Sequence, residues 1–298
     1  MANLLDIRRR IKSVKNTQQI TKAMKMLSAA KLKRSQDMVV SARPFANKMM
    51  QVLGELASHT DENFHHPLLD ARGDQRYLIV LVTADKGLAG GFNSNLIKAA
   101  QAFMREHEGK DFVMMPVGRK GRDFFRRRNV KFLQEYIGMT GKGRVDYSEA
   151  VSVAREVIKN FTEDETLDKA FLIYNEFKSV LQQRVVIEQL LPVSRATEGG
   201  EAATTDEAGR PVNLTDYIYE QPPEAIFARL LPRLIETQIF RALLESVASE
   251  HGARMTAMDS ATKNAGELIS SLTLNMNRIR QAAITNEIIE VVSGASAM

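Results

Sequence analysis

The sequence predicts an α/β chain with long helices: an antiparallel coiled coil of N- and C-terminal helices, with a Rossmann-like α/β domain inserted between them. Three observations predict it. The first 58 residues hold one proline, Pro44, and one glycine, Gly54, and their apolar residues recur at steps of three and four. Between Gln75 and Leu191, short β-branched runs alternate with amphipathic stretches, the texture of a largely parallel sheet. After Pro223 a second stripe at 3,4 spacing is sustained over five heptads. The expected divisions are 1–58 (first helix), 59–222 (α/β foot, with a mobile loop at about 196–210) and 223–298 (second helix).

In the first helix Leu4, Ile7, Ile11 and Val14 form one stripe. It breaks through Asn16, Thr17, Gln18 and Gln19, then resumes on another face as Ile20, Met24 and Leu27. A late stripe follows at Phe45, Met49, Val52 or Leu53, and Leu56. Such a helix would be about 85 Å long at 1.5 Å per residue, so it needs a long partner. Its basic, acid-poor start also imitates a mitochondrial transit peptide, but the pattern continues past any plausible cleavage site.

In the middle, Tyr77 to Val82 is a continuous apolar run and reads as a buried strand, followed by the turn Asp85-Lys-Gly-Leu-Ala-Gly-Gly91. Asn93 to Glu106 reads as a helix, Phe112 to Val117 as a strand and Lys120 to Arg128 as a helix. Ser148 to Phe161 is a further helix, Ala170 to Tyr174 a strand, and Val180 to Leu191 an edge strand or half a hairpin. Ala196 to Arg210, rich in Gly, Thr and acids, reads as an exposed loop.

Pro222-Pro223 offers the start of the last helix. Its stripe runs Leu244, Val247, His251, Arg254, Met258, Ala261, Ala265, Leu268, Leu272, Asn275, Ile279 and Ala282. The small Ala261 and Ala265 let a partner helix approach. Pro232 should kink this helix or mark its true start. Order and lengths together describe a shaft with a foot.

Composition narrows the chemistry. Cysteine is absent, which excludes disulfides, thiol catalysis and thiolate metal sites. No apolar run approaches the roughly 18 residues of a spanning helix, so the expected chain is soluble, without direct membrane insertion. The net charge is +5 over 298 residues, yet Met1 to Ser58 holds 12 basic against 3 acidic residues and the remainder 29 against 33. The positive excess therefore lies at the N-terminus, as expected of a chain meeting an acidic partner. A second basic cluster holds Arg119, Lys120, Arg122, Arg126, Arg127, Arg128 and Lys131.

Gly87, Gly90 and Gly91 do not form G-x-G-x-x-G, and no G-x-x-x-x-G-K-[ST] occurs. A structural turn is the expected reading, against an α/β enzyme that would hold phosphate there. The histidines, His59, His65, His66, His107 and His251, lack metal-ligand spacing. No catalytic, cofactor-binding or metal residue is expected. The basic helix reads as a solvated face, a nucleic-acid contact or a helix in an acidic protein cavity. Without interleaved aromatics or a binding motif, nucleic acid is not the expected partner.

Several segments then resemble one family. Ile11-Lys-Ser-Val-Lys-Asn-Thr-Gln-Gln-Ile-Thr-Lys-Ala-Met24, Thr83-Ala-Asp-Lys-Gly-Leu-Ala-Gly-Gly-Phe-Asn93, Ser249-Glu-His-Gly-Ala-Arg-Met-Thr-Ala-Met258 and Arg280-Gln-Ala-Ala-Ile-Thr-Asn-Glu-Ile-Ile-Glu-Val-Val-Ser-Gly294 are similar, in that order, to the γ subunit of F-type ATP synthases, bacterial type. The resemblance implies a central rotor shaft with no catalytic site of its own. In that family a ring of three α and three β subunits surrounds the coiled coil, and the foot binds ε and the c-ring. Rotation driven by protons forces each β subunit through its states in turn, reversibly with hydrolysis.

The resemblance places Met24 beside an acidic lever loop of β, flanked by Lys22 and Lys25; a core methionine is the alternative, and both can hold. It places Arg254, Arg280, Gln281, Thr285 and Glu287 against the collar of the ring. Tyr217, Tyr219 and Glu220 match the foot segment that meets the c-ring or ε. Gln221 where relatives often have proline, Pro232, and the 196–210 loop depart from the pattern. Implied too are a single copy per complex and a peripheral place at the cytoplasmic face of a bacterial inner membrane.

Overall fold

The computed structural model describes residues 4–59, 64–142, 145–180, 182–193 and 222–296. Two compact units are present: Met1–Ala29 with Arg254–Met298, and Ala30–Ala253. Helix α1 (Leu4–His59) and helix α5 (Pro223–Ser296) each contribute to both.

The larger unit is built on one five-stranded sheet in the order β3-β2-β1-β4-β5. β1 (Arg76–Val82) lies parallel to β2 (Asp111–Val117) and to β4 (Lys169–Phe177). The two-residue β3 (Lys131–Phe132) extends the parallel set, and β5 (Gln183–Leu191) closes the edge antiparallel to β4. The expected strands thus form, and both readings of Val180 to Leu191 hold, since β5 is an edge strand and also the second half of an antiparallel hairpin with β4. β3 is too short to leave a sequence signal.

Helices α2 (Phe92–Glu106), α3 (Arg119–Arg126) and α4 (Tyr147–Glu163) connect the strands. α4 begins with a capping box: Asp146 precedes it and the Glu149 carboxylate accepts the Asp146 N–H. β1 is buried along almost its whole length, as expected of a central parallel strand. Tyr77, Leu96, Phe103, Met114 and Ile173 lie in the core beside it, and the Tyr77 ring meets those of Phe103, Phe112 and Phe171.

Between Leu234 and Gly252, α5 is buried on nearly every face, not along one stripe. The helix here passes through the protein interior, which a one-sided heptad pattern does not anticipate. Pro232 lies inside a helix that starts at Pro223. The alternative that Pro232 marks the true start is therefore wrong. A missing N–H removes one bond to the preceding turn, and burial of Leu231, Leu234 and Ile235 holds the helix across it.

In the smaller unit, α1 and α5 pair antiparallel: Lys25 meets Asp259, Thr21 meets Thr262, and Gln18 faces Gly266. The α1 stripe does not break where its apolar residues stop. It continues in the same heptad phase through Gln18, the buried Thr21 and the buried Ser28, while Ile20 and Leu27 are 59% and 64% exposed. On that face Gln18, Thr21 and Lys25 hydrogen-bond to α5. Later in α1 the expected late stripe holds at Met49, Leu53 and Leu56, and only its first residue is corrected, since Ala46 is buried and Phe45 is exposed.

The α5 stripe holds through Leu244, Val247, His251, Arg254, Met258 and Ala265. It then follows Ile269, Leu272, Met276 and Ile279, all half-buried, and leaves Leu268 and Asn275 exposed. Positions seven apart were legible throughout, and the intermediate position was misplaced by one residue only in the later heptads, at Leu268 and Asn275. Counting back fourteen residues from Gln18 reaches Leu4, and forward fourteen from Gly266 reaches Arg280. Arg280 is also where covering ends: residues 280–295 are all exposed.

Candidate functional site

Three places carry concentrated polar chemistry. The first lies between the two helices of the smaller unit. Lys25 Nζ donates to Asp259 Oδ1 at 2.6 Å, and Lys263 Nζ lies 3.6 Å from Asp259 Oδ2. The Lys25 hydrogen bond, helped by Lys263, holds the Asp259 carboxyl below its ordinary value. Beside it the Thr21 and Thr262 hydroxyls share a hydrogen bond of 2.8 Å. Gln18 Nε2 donates to the Thr262 carbonyl at 3.4 Å, and Thr262 Oγ1 donates to the Met258 carbonyl at 2.7 Å. An open cleft of about 370 Å³ is lined by Gln18, Gln19, Lys22, Lys25, Asp259 and Thr262.

Of the residues expected to form a contact surface, Lys22 and Lys25 meet at this cleft, with Lys22 exposed and Lys25 paired. Met24 is half-buried. Arg254 is 8% exposed, on the inward face of α5. Arg280, Gln281, Thr285 and Glu287 are exposed along one helix, with Thr285 Oγ1 donating to the Gln281 carbonyl one turn back. Tyr217, Tyr219 and Glu220 lie outside the described residues, as does the 196–210 loop. Sequence reasoning missed Gln18, Thr21, Asp259 and Thr262. For Gln18, Thr21 and Thr262 a signal was present, since polar residues occupy heptad positions where Leu or Ile would ordinarily stand, whereas Asp259 stands beside the stripe residue Met258 and leaves none.

The second place is the carboxyl end of β1, where the chain order reverses between β2 and β4, the usual ligand position of open α/β sheets. Here the Asp85 carboxylate accepts the N–H groups of Arg119, Gly138 and Gly141 at 3.0–3.1 Å, and the Thr140 hydroxyl at 3.0 Å. Thr140 Oγ1 in turn accepts the Asp85 N–H. Backbone donors that would suit an anion, including the first N–H of α3, are occupied by a side chain of the protein itself. The Thr83 hydroxyl accepts the Gly121 N–H, and Gly118 packs so tightly on Thr83 that a Cβ there would lie 2.0 Å from its carbonyl oxygen. The Gly118 φ of +101° requires glycine independently.

The third place joins α5 to the sheet edge. Arg241 Nη2 donates to both Glu188 oxygens, at 2.9 and 3.1 Å, and lies 3.4 Å from Tyr174 Oη. Burial pushes the Tyr174 hydroxyl well above its ordinary range, with Arg241 pulling the other way. Nearby, burial raises the Glu245 carboxyl, against the pull of Arg241 and Arg43. Among the described residues no group of three or more His, Cys, Asp or Glu has the geometry to hold a metal, and no helix is long and apolar enough to cross a membrane.

The protein-family model for ATP synthase matches residues 3–298. The ATP synthase gamma chain of Solibacter usitatus (strain Ellin6076) is 51% identical over all of this chain and 99% of that relative. The gamma chain of Geobacter sp. (strain M21) is 49% identical with the same coverage. Among solved structures, the central stalk and c-ring of Tetrahymena thermophila mitochondrial ATP synthase matches at TM-score 0.61 and 26% identity, covering 81% of this chain and 99% of that one. The Euglena gracilis mitochondrial assembly shares the fold at TM-score 0.67 and 19% identity, over 99% and 94% of the two chains. With a match of this length and order, and the long paired helices and inserted sheet of the central stalk, the chain belongs to the gamma-chain family of ATP synthase.

Proposed function

We propose that this chain is the non-catalytic central shaft of a proton-translocating ATP synthase, turned by a c-ring and forcing the β subunits through successive states. It stands as a single copy inside a ring of three α and three β subunits. Its foot, through Tyr217, Tyr219 and Glu220, meets the c-ring and ε. It is peripheral, at the cytoplasmic face of a bacterial inner membrane, with no nucleic acid, cofactor or membrane insertion of its own. Lys22, Met24, Lys25, Arg254, Arg280, Gln281, Thr285 and Glu287 are its contacts with the surrounding ring.

The single observation that carries this reading is the end of α5. Residues 280–295 are exposed on every face, yet they include Ile284, Ile288, Ile289, Val291 and Val292, each at least 48% exposed. At 100° per residue these five aliphatics span about 160° of the helix, and an uncovered apolar arc of that width suits a helix covered by a partner. The exposed bases of α1, Arg8, Arg9, Arg10, Lys12 and Lys15, suit an acidic wall for the same enclosure.

The test mixes the purified chain with the α and β subunits of its own organism. One copy should enter the hexameric complex and raise steady-state ATP hydrolysis. Failure to enter, under conditions where α and β assemble with another gamma chain, overturns the proposal.

A further inference from the structure

Within the smaller unit, α1 turns its less apolar face toward its partner. Gln18, Thr21 and Lys25 face α5 and Ser28 is buried in the same heptad phase, while Ile20 and Leu27, two turns apart on a neighbouring face, lie 59% and 64% exposed. The two faces are about 100° apart, the rotation of a single residue. Hydrophobic burial alone would turn Ile20 and Leu27 inward, and one π-bulge in α1 would supply the one-residue shift. What opposes it is polar and specific: Thr21 Oγ1 to Thr262 Oγ1 at 2.8 Å, Lys25 Nζ to Asp259 Oδ1 at 2.6 Å, and Gln18 against Gly266, where even a Cβ would come within 3.2 Å of the Gln18 amide.

We propose that Thr262 and Asp259 are positioning residues: their bonds to Thr21 and Lys25 set the rotation of α1 about its own axis and so hold Ile20 and Leu27 outward, as an apolar contact face for the ring. Polar groups at heptad positions select one packing among alternatives of similar apolar area, at some cost in stability. The inference deepens the rotor reading, and its structural half is testable without it.

The chain has no cysteine, so a single introduced thiol reports cleanly. Leu27→Cys and Ser28→Cys are each placed in the full-length chain, with α5 intact or carrying Asp259→Asn with Thr262→Val, and alkylation by iodoacetamide is timed. With α5 intact, Leu27→Cys should react at least tenfold faster than Ser28→Cys. In the doubly substituted background the order should reverse, with helicity by circular dichroism unchanged. A ratio unaffected by the substitutions overturns the proposal. So does a rise at both positions, with or without loss of helicity, because the polar pairs would then merely hold the helices together.

In the assembled complex the same two substitutions, without the reporter, should lower protons pumped per ATP while hydrolysis continues. Pumping unchanged in a background whose labelling order has reversed would refute the contact role of Ile20 and Leu27 and leave the rotational role standing. A chain that never assembles with α and β would refute the rotor reading alone.

Discussion

Arg241 on α5 grips Glu188 on the edge strand β5 through two hydrogen bonds from one guanidinium nitrogen, at 2.9 and 3.1 Å. Each side chain is about 30% exposed, so solvent screens the pair in part. Arg241→Ala should lower unfolding free energy by about 1–3 kcal/mol, less than a fully buried pair would lose. Urea unfolding gives the number, and a loss below about 0.5 kcal/mol would show that Glu188 finds water at no cost.

Glu245 supplies a pH test of the same region. Its carboxyl is raised by burial, and its Oε2 is buried without a hydrogen-bond partner among the described residues. A raised folded value means the neutral acid is preferred, so stability is fully present below the unfolded value near 4 and falls as pH rises through the folded one. Glu245→Gln should therefore stabilise the chain at pH 7 and make little difference near pH 4. Melting temperatures of both proteins at the two pH values decide it, and a variant destabilised at pH 7 contradicts it.

Two glycines with similar backbones separate strain from collision. Gly118 has φ +101° and Gly109 φ +94°. A Cβ at Gly118 would strike the Thr83 carbonyl, whereas at Gly109 nothing lies within 4 Å. Gly109→Ala should cost about 1–2 kcal/mol, the price of the left-handed backbone. Gly118→Ala should cost at least about 3 kcal/mol or prevent folding. Equal losses would mean that β1 and β2 yield around Thr83.

Asp85 gathers three N–H groups and a hydroxyl at the end of β1. Asp85→Asn turns one acceptor oxygen into a donor facing other donors, so a loss of about 2–3 kcal/mol is expected. Chemical denaturation measures it. A near-neutral result would show that the 138–141 turn reorganises without its anchor.

Ile288 tests what the uncovered end of α5 is for. Because Ile288 is 58% exposed, Ile288→Ser should change the stability of the free chain by less than about 0.5 kcal/mol. If a ring encloses this segment, the same change should weaken assembly with α and β several-fold. Unaltered assembly, measured by titration, would remove Ile288 from the contact.

Much of this architecture was legible because burial follows period. β1 read as a buried strand from Tyr77-Leu-Ile-Val-Leu-Val82, and Ile7, Val247 and Met258 fell on their stripes because seven-residue spacing survives small errors of phase. Reading failed where burial was secured by hydrogen bonding. Thr21 and Ser28 carry no apolar signal, so the stripe was assigned to Ile20 and Leu27. Asp85 escaped notice because its partners, from Arg119 to Gly141, lie 34 to 56 residues away. Lys22 and Lys25 were found by resemblance; the Asp259 that binds Lys25 is 234 residues distant and needed the fold.

Among the described residues α1 begins at Leu4, and residues 280–295 of α5, more than four turns, are exposed. A single helical segment of that length sits near the midpoint between coil and helix in water. Its last turns should fray and re-form on the submicrosecond to microsecond timescale, and their amides should exchange with solvent far faster than those of Leu243 or Val247. Enclosure by a ring would then do more than cover aliphatic surface: it would finish folding this segment, so that assembly and the final helical order of the chain become one equilibrium.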